Sequence, residues 1–221
     1  MRMFRSLTVA VAIAALAGAV QAQPKTPALS PFATGAQQQA AMAAGTLTSE
    51  ALVRDYLARI AALDKAGPKL NAIIALNPHA LADARKLDAE RKAGHVRGPL
   101  HGVPILLKDN IESDDGTATT AGSLALKDNV TGRDAPIVRR LTDAGAVILG
   151  KANLSEWANF RSIRSISGWT PIGGLVRNPY SLDRTACGSS AGSGAAVAAG
   201  LTTYAIGTET DGSITCPAAS N

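Results

Sequence analysis

Three segments of the sequence carry side chains that could perform acyl-transfer chemistry. The apolar run VPILLK ends in Lys108 and is followed by Asp109. The run CGSSAGSG carries Ser189 and Ser190, and the run GTETDGSI carries Ser213. A lysine at the end of a buried strand loses hydration, so its pKa falls towards the range in which the amine is neutral and can accept a proton. Such a lysine can replace the histidine of a serine hydrolase, as Ser-Lys dyads do.

The serine-rich run allows other interpretations. Residues 188–192 match the G-x-S-x-G pattern, which would make Ser190 a nucleophile on a sharp strand-to-helix turn. The preceding stretch NPYSLDRTA is turn-like, however, and the histidines at 79, 95 and 101 all lie upstream. A phosphate-binding loop would need a Lys-Ser/Thr pair that the run lacks. The simplest structural interpretation is a helix N-terminus that lets two backbones approach closely.

Lys108 and Ser213 have structural alternatives too. A strand-end lysine can extend to solvent, and Ser213 can sit in an ordinary loop. The chemical interpretation of the Ser213 segment is more specific, because successive backbone N–H groups in a Gly-Ser turn can converge on one anion. The turn would then be an oxyanion hole.

The elements that must position these side chains alternate between helix and strand. Helical spacing of apolar residues predicts helices over 35–44 and 48–64, and Asn77-Pro78 opens another that ends near Gly94. The stretch from Asp134 onward predicts a helix, a tight turn at Gly145, a strand and a further helix, and residues 192–200 form a small-residue helix. The predicted strands are 70–76, a strand ending at Lys108, 146–150 and 203–208. This alternation predicts a layered α/β domain.

Composition excludes several classes of protein. The formal net charge is +5, without a basic cluster or an aromatic platform, which argues against a nucleic-acid partner. Cys187 and Cys216 are too few for a typical zinc site, so we expect no metal site. We also expect no other cofactor. Two interpretations of the cysteines remain, a disulfide or two small buried thiols, and their positions inside glycine-rich motifs favour unpaired thiols.

The N-terminus is typical of a secretory signal. A basic start is followed by the apolar run SLTVAVAIAALAGAV, and small residues precede Ala22. We therefore predict a signal peptide over 1–22, cleaved after Ala22, a Pro-rich linker over 23–34, and an exported, periplasmic or secreted protein. The alternative is a membrane anchor, but the apolar run is short for a spanning helix, and no second long run follows. We expect no stable membrane span after the signal is removed.

Taken together, the motifs resemble those of the amidase signature family. They are GPLHGVPILLKDN, TTAGS, DAPIVRRLTDAGAVILGKANLSEW, RNPYSLDRTACGSSAGSGAAVAAG and GTETDGSITCPA, in the order seen in that family. The resemblance runs from about residue 45 to the last residue, and the pairing of GTETDGSI with CGSS is more similar to the peptide-amidase-like branch. The resemblance implies a layered α/β/α fold with a central mixed β-sheet covered by helices. Because family members are considerably longer, it also implies that residues 35–221 are the N-terminal part of this domain.

The resemblance implies a role for each matching residue. Lys108 would be the general base, Ser189 a proton relay preceded by a cis peptide bond, and Ser213 the nucleophile. The backbone N–H groups of Thr210, Asp211, Gly212 and Ser213 would form the oxyanion hole, and Ser190 and Asp109 would support the site. At Glu209 and Asp211 the sequence departs from many members, which have Asp and Gly there.

The implied function is hydrolysis of a small-molecule or peptide carboxamide to a carboxylate and ammonia through an acyl-enzyme. One alternative is another amide-cleaving enzyme, such as a urea-derivative or acylamide hydrolase. A second is a truncated, inactive fragment that acts, if at all, by binding. A third is the glutaminase subunit of a transamidosome, which the signal peptide opposes because the partner tRNA is cytosolic.

Overall fold

The computed structural model describes residues 29–221. The predicted signal peptide and residues 23–28 of the predicted linker lie outside the described residues. Within residues 29–221, every helix is too short or too polar to cross a lipid bilayer.

Helices and strands alternate through most of the described chain. The hydroxyl of Thr48 caps the helix predicted over 48–64 by accepting from the amide of Ala51. The helices are Gly35–Ala43 (α1), Ser49–Arg59 (α2, extended by a wider helical segment at Ile60–Lys65), Ala80–Lys92 (α3), Pro136–Asp143 (α4), Ala191–Ala198 (α5) and Thr215–Ser220 (α6). The strands are Ile73–Leu76 (β1), Pro104–Lys108 (β2), Val147–Ala152 (β3), Trp169–Thr170 (β4), Gly174–Leu175 (β5) and Tyr204–Ile206 (β6).

Four strands form the central sheet, in the order β1-β3-β2-β6. Strand β2 runs parallel to both β3 and β6, whereas β1 is antiparallel to β3. The sheet is therefore mixed, as predicted. Lys108, the last residue of β2, pairs with Ala152, the last residue of β3, so it lies where the carboxyl ends of the parallel strands meet.

Both faces of the sheet are covered, because successive side chains of a strand point to opposite faces. Leu106 packs with the apolar residues of α2, α3 and α5. Its neighbours Ile105 and Leu107 pack instead with Val138 and Leu141 of α4. The result is three layers, which confirms the predicted α/β/α architecture.

At one predicted helix boundary, a side chain competes with the helix for a backbone amide. Helix α3 begins at Ala80 rather than Pro78, because the side chain of Asn77 accepts from the amide of His79 and forms a turn.

The helix predicted after the third strand is wrong. Only a short helical turn, Glu156–Asn159, follows β3. Trp157, Ala158 and Asn159 have φ values of 52°, 53° and 72°, in the left-handed region that an α-helix cannot include. The amide of Trp157 donates to the carbonyl of Ala121, and the amide of Ser155 donates to the carbonyl of Ser189. The loop therefore gives its hydrogen bonds to neighbouring segments instead of to itself.

The expectation of two unpaired thiols is also wrong. Cys187 and Cys216 form a disulfide. Cys187 lies in the segment before α5, and Cys216 lies in α6. Their Cα atoms are 5.9 Å apart, within the usual range for a bridged pair. The packing of α6 against α5 brings together two motifs that are 29 residues apart in the chain, a proximity that their spacing in the sequence does not reveal.

Candidate active site

Lys108 is fully buried at the end of β2. Its Nζ donates to the hydroxyl of Ser189 at 2.7 Å and to the carbonyl of Thr208 at 2.9 Å. The apolar strand explains this position, because β2 is the inner strand between β3 and β6 and carries its last side chain into the interior. The lysine therefore points at a serine rather than at solvent, which excludes the alternative of a solvent-exposed strand-end lysine.

Ser189 lies between the lysine and the third predicted residue. Its hydroxyl donates to that of Ser213 at 2.9 Å, which completes a continuous chain from Lys108 Nζ to Ser213 Oγ. A cis peptide bond joins Gly188 to Ser189. Both serines are buried, with 0% and 8% of the residue exposed. The structure thus brings together the three residues to which the sequence assigns the chemistry.

Small residues make this approach possible. A Cβ atom at Gly192 in α5 would lie 2.2 Å from the carbonyl oxygen of Ala72 and 2.5 Å from that of Asn153. The helix therefore packs backbone-to-backbone against the elements beside it, and it does so immediately after Ser189 and Ser190. The small-residue helix predicted from the sequence has this packing role.

Ser190 supports the site through the backbone. Its amide donates to the carbonyl of Ser213 at 2.9 Å. Its hydroxyl lies 3.1 Å from the carbonyl of Thr208 and 3.3 Å from the Thr208 amide. These bonds join the α5 segment to both ends of the Ser213 segment. Ser190 is consequently engaged in structural hydrogen bonds, which fits the supporting role and not that of an elbow nucleophile.

Burial determines the protonation of the lysine. It lowers the pKa of Lys108 from 10.5 to about 8, and the negative charge of Glu209 opposes that decrease. An amine with this pKa is neutral in roughly one molecule in ten at pH 7, far more than an ordinary lysine, and the neutral form has a lone pair that can accept a proton. The group is therefore suited to act as a general base.

Asp109 directly follows Lys108 in the chain and is fully buried. Its side chain accepts from the amide and the hydroxyl of Thr120, and its carbonyl accepts from the amide of Ala121. Burial raises the pKa of Asp109 to about 6, although Thr120 and Lys151 oppose the shift. Asp109 thus fixes the TTAGS loop beside the end of β2 and does not contact the serines, consistent with a supporting role.

The predicted oxyanion segment is only partly free. The amide of Gly212 donates to the carboxylate of Glu209 at 2.8 Å. The amides of Thr210, Asp211 and Ser213 donate no hydrogen bond to another group of residues 29–221. Three of the four predicted donors therefore remain available for a ligand oxygen in this structure, and Gly212 does not.

The sequence does not indicate the hydrogen-bonding roles of two further residues, Glu209 and Lys151. It identifies Glu209 only as a departure from the family pattern. Lys151 of β3 is fully buried and donates to the carbonyl of Ile111 and to the hydroxyl of Thr119. Its position in the apolar run VILGKA is the signal in the sequence that could have raised the question of burial, as VPILLK raised it for Lys108.

An open cleft of about 810 Å³ has Asn110 and Thr208 in its wall. The side-chain amide of Asn110 donates to the hydroxyl of Thr208 at 3.0 Å, and the carbonyl of Thr208 accepts from Lys108. Apolar groups dominate the rest of the wall, including Ala121, Leu126, Ile137, Trp157 and Ile206. Residues 29–221 contain no cluster of three or more His, Cys, Asp or Glu side chains that could hold a metal ion.

Comparison with known proteins identifies the relatives of this chain. A family model described as Amidase matches residues 51–221. The crystal structure of a peptide amidase from Stenotrophomonas maltophilia superposes with a TM-score of 0.82 at 60% identity, over 84% of this chain and 38% of that one. An amidase family protein from Bacillus anthracis gives a TM-score of 0.81 at 42% identity, over 85% of this chain and 37% of that one.

Curated relatives show the same coverage. A probable amidase from Arabidopsis thaliana is 50% identical over 177 residues, which are 79% of this chain and 34% of the relative. A glutamyl-tRNA(Gln) amidotransferase subunit from Symbiobacterium thermophilum is 46% identical over 80% of this chain and 35% of the relative. The chain therefore spans about a third of the length of the curated relatives that it matches.

Proposed function

The chain belongs to the amidase family, and from that premise we propose that it is part of an exported enzyme that hydrolyses a carboxamide to a carboxylate and ammonia. The hydrogen-bond chain from Lys108 through Ser189 to Ser213 is the observation that carries the proposal. The 60% identity to a peptide amidase favours the C-terminal amide of a peptide as the substrate. Because the chain spans only part of its relatives, the proposal concerns the complete gene product.

The proposed mechanism begins with neutral Lys108. When the amine has lost its proton, the hydrogen bonds of the chain can reverse, so that Ser213 donates to Ser189 and Ser189 donates to Nζ. Ser213 Oγ then attacks the amide carbon while its proton passes through Ser189 to the lysine. Free amides of the Ser213 turn stabilise the negative oxygen of the tetrahedral intermediate.

The second half of the reaction returns the proton. Protonated Lys108 supplies it, through Ser189, to the leaving nitrogen, and the C–N bond breaks to release ammonia. An acyl group remains on Ser213 Oγ as an ester. Water then attacks the acyl carbon of this ester while the lysine again accepts a proton. The bond between that carbon and Ser213 Oγ breaks, Oγ takes the proton back through Ser189, and the product leaves as a carboxylate. The lysine acts as base and then as acid in each half-reaction, which suits a pKa near the working pH.

Two observations support export. The N-terminal basic and apolar segments have the order of a secretory signal, although they lie outside the described residues. In the described part, Cys187 and Cys216 form a disulfide, a bond that persists mainly in oxidising compartments such as the periplasm or the extracellular space. An exported protein would also be separated from cytosolic tRNA, which opposes an amidotransferase role.

The test is ammonia release by the complete gene product from a peptide C-terminal amide, with free glutamine and a urea derivative as competing substrates. We expect Ser213→Ala to lower turnover about 10³-fold or more, because the variant has no nucleophile. Ser193→Ala is a matched control, because the hydroxyl of Ser193 in α5 donates to the carbonyl of Ile206 and to none of Lys108, Ser189 and Ser213.

A second measurement tests the acyl-enzyme. A serine-directed fluorophosphonate should add its mass to the peptide that contains Ser213, and Ser213→Ala should remain unlabelled. Retained hydrolysis in Ser213→Ala would exclude Ser213 as the nucleophile. Absence of turnover on every amide by the unmodified protein would support the alternative of an inactive remnant.

A further inference from the structure

The turn that carries Ser213 is held by a side chain that the proposed mechanism does not use. The carboxylate of Glu209 accepts hydrogen bonds from the amides of Gly212, Ile214 and Thr215, each at 2.8 or 2.9 Å. It also accepts from the hydroxyl of Thr215 at 3.1 Å. One carboxylate therefore binds four donors, from residues on both sides of Ser213.

We propose that Glu209 is a positioning residue that fixes the Ser213 turn for the attack, an inference that rests on the proposed function. Two anchors would then determine where Ser213 Oγ lies. From the α5 side, the amide of Ser190 holds the carbonyl of Ser213 at 2.9 Å. From the other side, Glu209 holds the neighbouring amides, and the hydroxyl remains free to meet Ser189.

The same contacts decide which amides can bind a substrate oxygen. Because Glu209 engages Gly212, Ile214 and Thr215, the free amides of the turn are those of Thr210, Asp211 and Ser213. A carboxylate that did not reach the turn would leave the Gly212 amide unpaired and the turn free to rotate. Hydrogen bonds to a charged acceptor are the stronger class, so this tether can hold a solvent-exposed segment in one conformation.

Glu209 has a second connection to the site, through its charge. It follows Thr208, whose carbonyl accepts from Lys108 Nζ, and its negative charge raises the pKa of Lys108 against the effect of burial. The other charged neighbours face elsewhere. Asp109 contacts Thr120, Lys151 lies on the opposite face of the sheet, and Asp211 is exposed to solvent.

Two substitutions separate the positional effect from the electrostatic one. Glu209→Gln removes the charge and leaves one oxygen acceptor, whereas Glu209→Asp keeps the charge and shortens the reach by one methylene. We expect both to lower kcat about tenfold or more with a smaller change in KM, because the tether is weakened in each, by a lost acceptor oxygen and charge in one and by a shorter reach in the other. Only Glu209→Gln should shift the acid limb of the pH–rate profile to lower pH, because only it removes the charge that favours protonated Lys108.

Asp55→Asn is the matched control for charge. Asp55 is an exposed acid on α2 that does not contribute to the pKa shift of Lys108, and its substitution should change neither kcat nor the pH profile. A tenfold loss of kcat in both Glu209 variants, with the limb displaced in Glu209→Gln alone, supports the proposal. Unchanged kcat in both variants, or an equal displacement of the limb in both, overturns it.

A third measurement does not depend on turnover, so it separates failure of this proposal from failure of the proposed function. Amide hydrogen exchange of the complete gene product should show protection at Gly212, Ile214 and Thr215 that both Glu209 variants lose and Asp55→Asn keeps. NMR titration of the lysine side chains, assigned with Lys108→Arg, should give Lys108 a lower pKa in Glu209→Gln only. If exchange at the three amides is the same in all proteins, Glu209 does not hold the turn, whether or not the enzyme is active.

Discussion

Lys108 and Lys151 are two buried lysines on neighbouring strands of one sheet, and they differ in what surrounds them. Both are fully buried, and burial lowers the pKa of each. Lys108 donates to a serine hydroxyl that in turn contacts another serine. Lys151 donates to the carbonyl of Ile111 and the hydroxyl of Thr119, where no second hydroxyl of the described residues extends the chain.

The charged environment differs as well. One carboxylate, Glu209, opposes the lowered pKa of Lys108, whereas four oppose that of Lys151. Those four are Asp109, Asp115, Glu112 and Asp134. Lys151 therefore sits in an acidic environment that favours the ammonium form, and it ties one loop to the sheet. In the proposed mechanism, burial alone therefore does not make a lysine a base, because the partners determine whether a lost proton has a route to substrate.

The most severe test of this comparison replaces each lysine with methionine, a side chain of similar length. Lys108→Met should lower turnover about 10³-fold or more, because the proton acceptor is lost. Lys151→Met should keep turnover within about threefold and lower the free energy of unfolding by about 1–3 kcal/mol, because two buried acceptors lose their donor. Ammonia release and chemical denaturation of both variants measure the two effects.

The comparison fails if the outcomes are exchanged. Normal turnover in Lys108→Met would remove that lysine from the mechanism. A loss of turnover in Lys151→Met as large as that in Lys108→Met, in a protein that still unfolds cooperatively, would show that the second lysine also takes part in the reaction.

The pH dependence of the proposed reaction should follow Lys108. Below its pKa of about 8 the amine is protonated and cannot accept a proton, so kcat/KM should fall about tenfold for each pH unit below the limb. Stability follows the same group, because the unfolded chain binds more protons between about pH 8 and 10.5, and the free energy of unfolding should therefore rise across that window. A rate profile with an acid limb near pH 6 would point to a different base.

The smallest expected effect comes from Asp109→Asn. The pKa of Asp109 in the folded protein is about 6, above the unfolded value of 3.8, so the stability it contributes is present below pH 3.8 and lost as pH rises through about 6. The asparagine oxygen can still accept from Thr120. Because asparagine does not titrate, the free energy of unfolding of the variant should depend less on pH between pH 4 and 6. The limb of the rate profile should stay near pH 8, since Asp109 acts on Lys151 and not on Lys108. A displaced limb would contradict this separation.

The sequence predicted the elements with the clearest patterns. An apolar run ending in lysine, VPILLK, indicated β2, because a short apolar run flanked by Gly and Pro favours an inner strand. The run by itself left open whether Lys108 is buried or reaches solvent. The resemblance to the amidase signature family indicated Ser189 and Ser213 as its partners. The layered architecture followed from the alternation of helix and strand, and the structure confirms it.

Other features depend on contacts that a pattern along the chain does not contain. The loop after β3 has helix-forming residues, but Ala121 and Ser189 accept the hydrogen bonds that a helix would have used internally. The role of Glu209 as a tether requires the turn to fold back on its side chain. The disulfide requires α6 to pack on α5, which the spacing of Cys187 and Cys216 does not specify.

The disulfide has a consequence for protein that has been cut by a protease. Residues 209–211 are exposed, and they lie within the loop that Cys187 and Cys216 close. Exposed loops are preferred sites of cleavage. After a single cut there, the piece that carries Ser213 remains covalently attached to the piece that carries Lys108 and Ser189. A nicked chain thus migrates as one molecule while it is oxidised, and separates into two when a reductant opens the sulfur bridge.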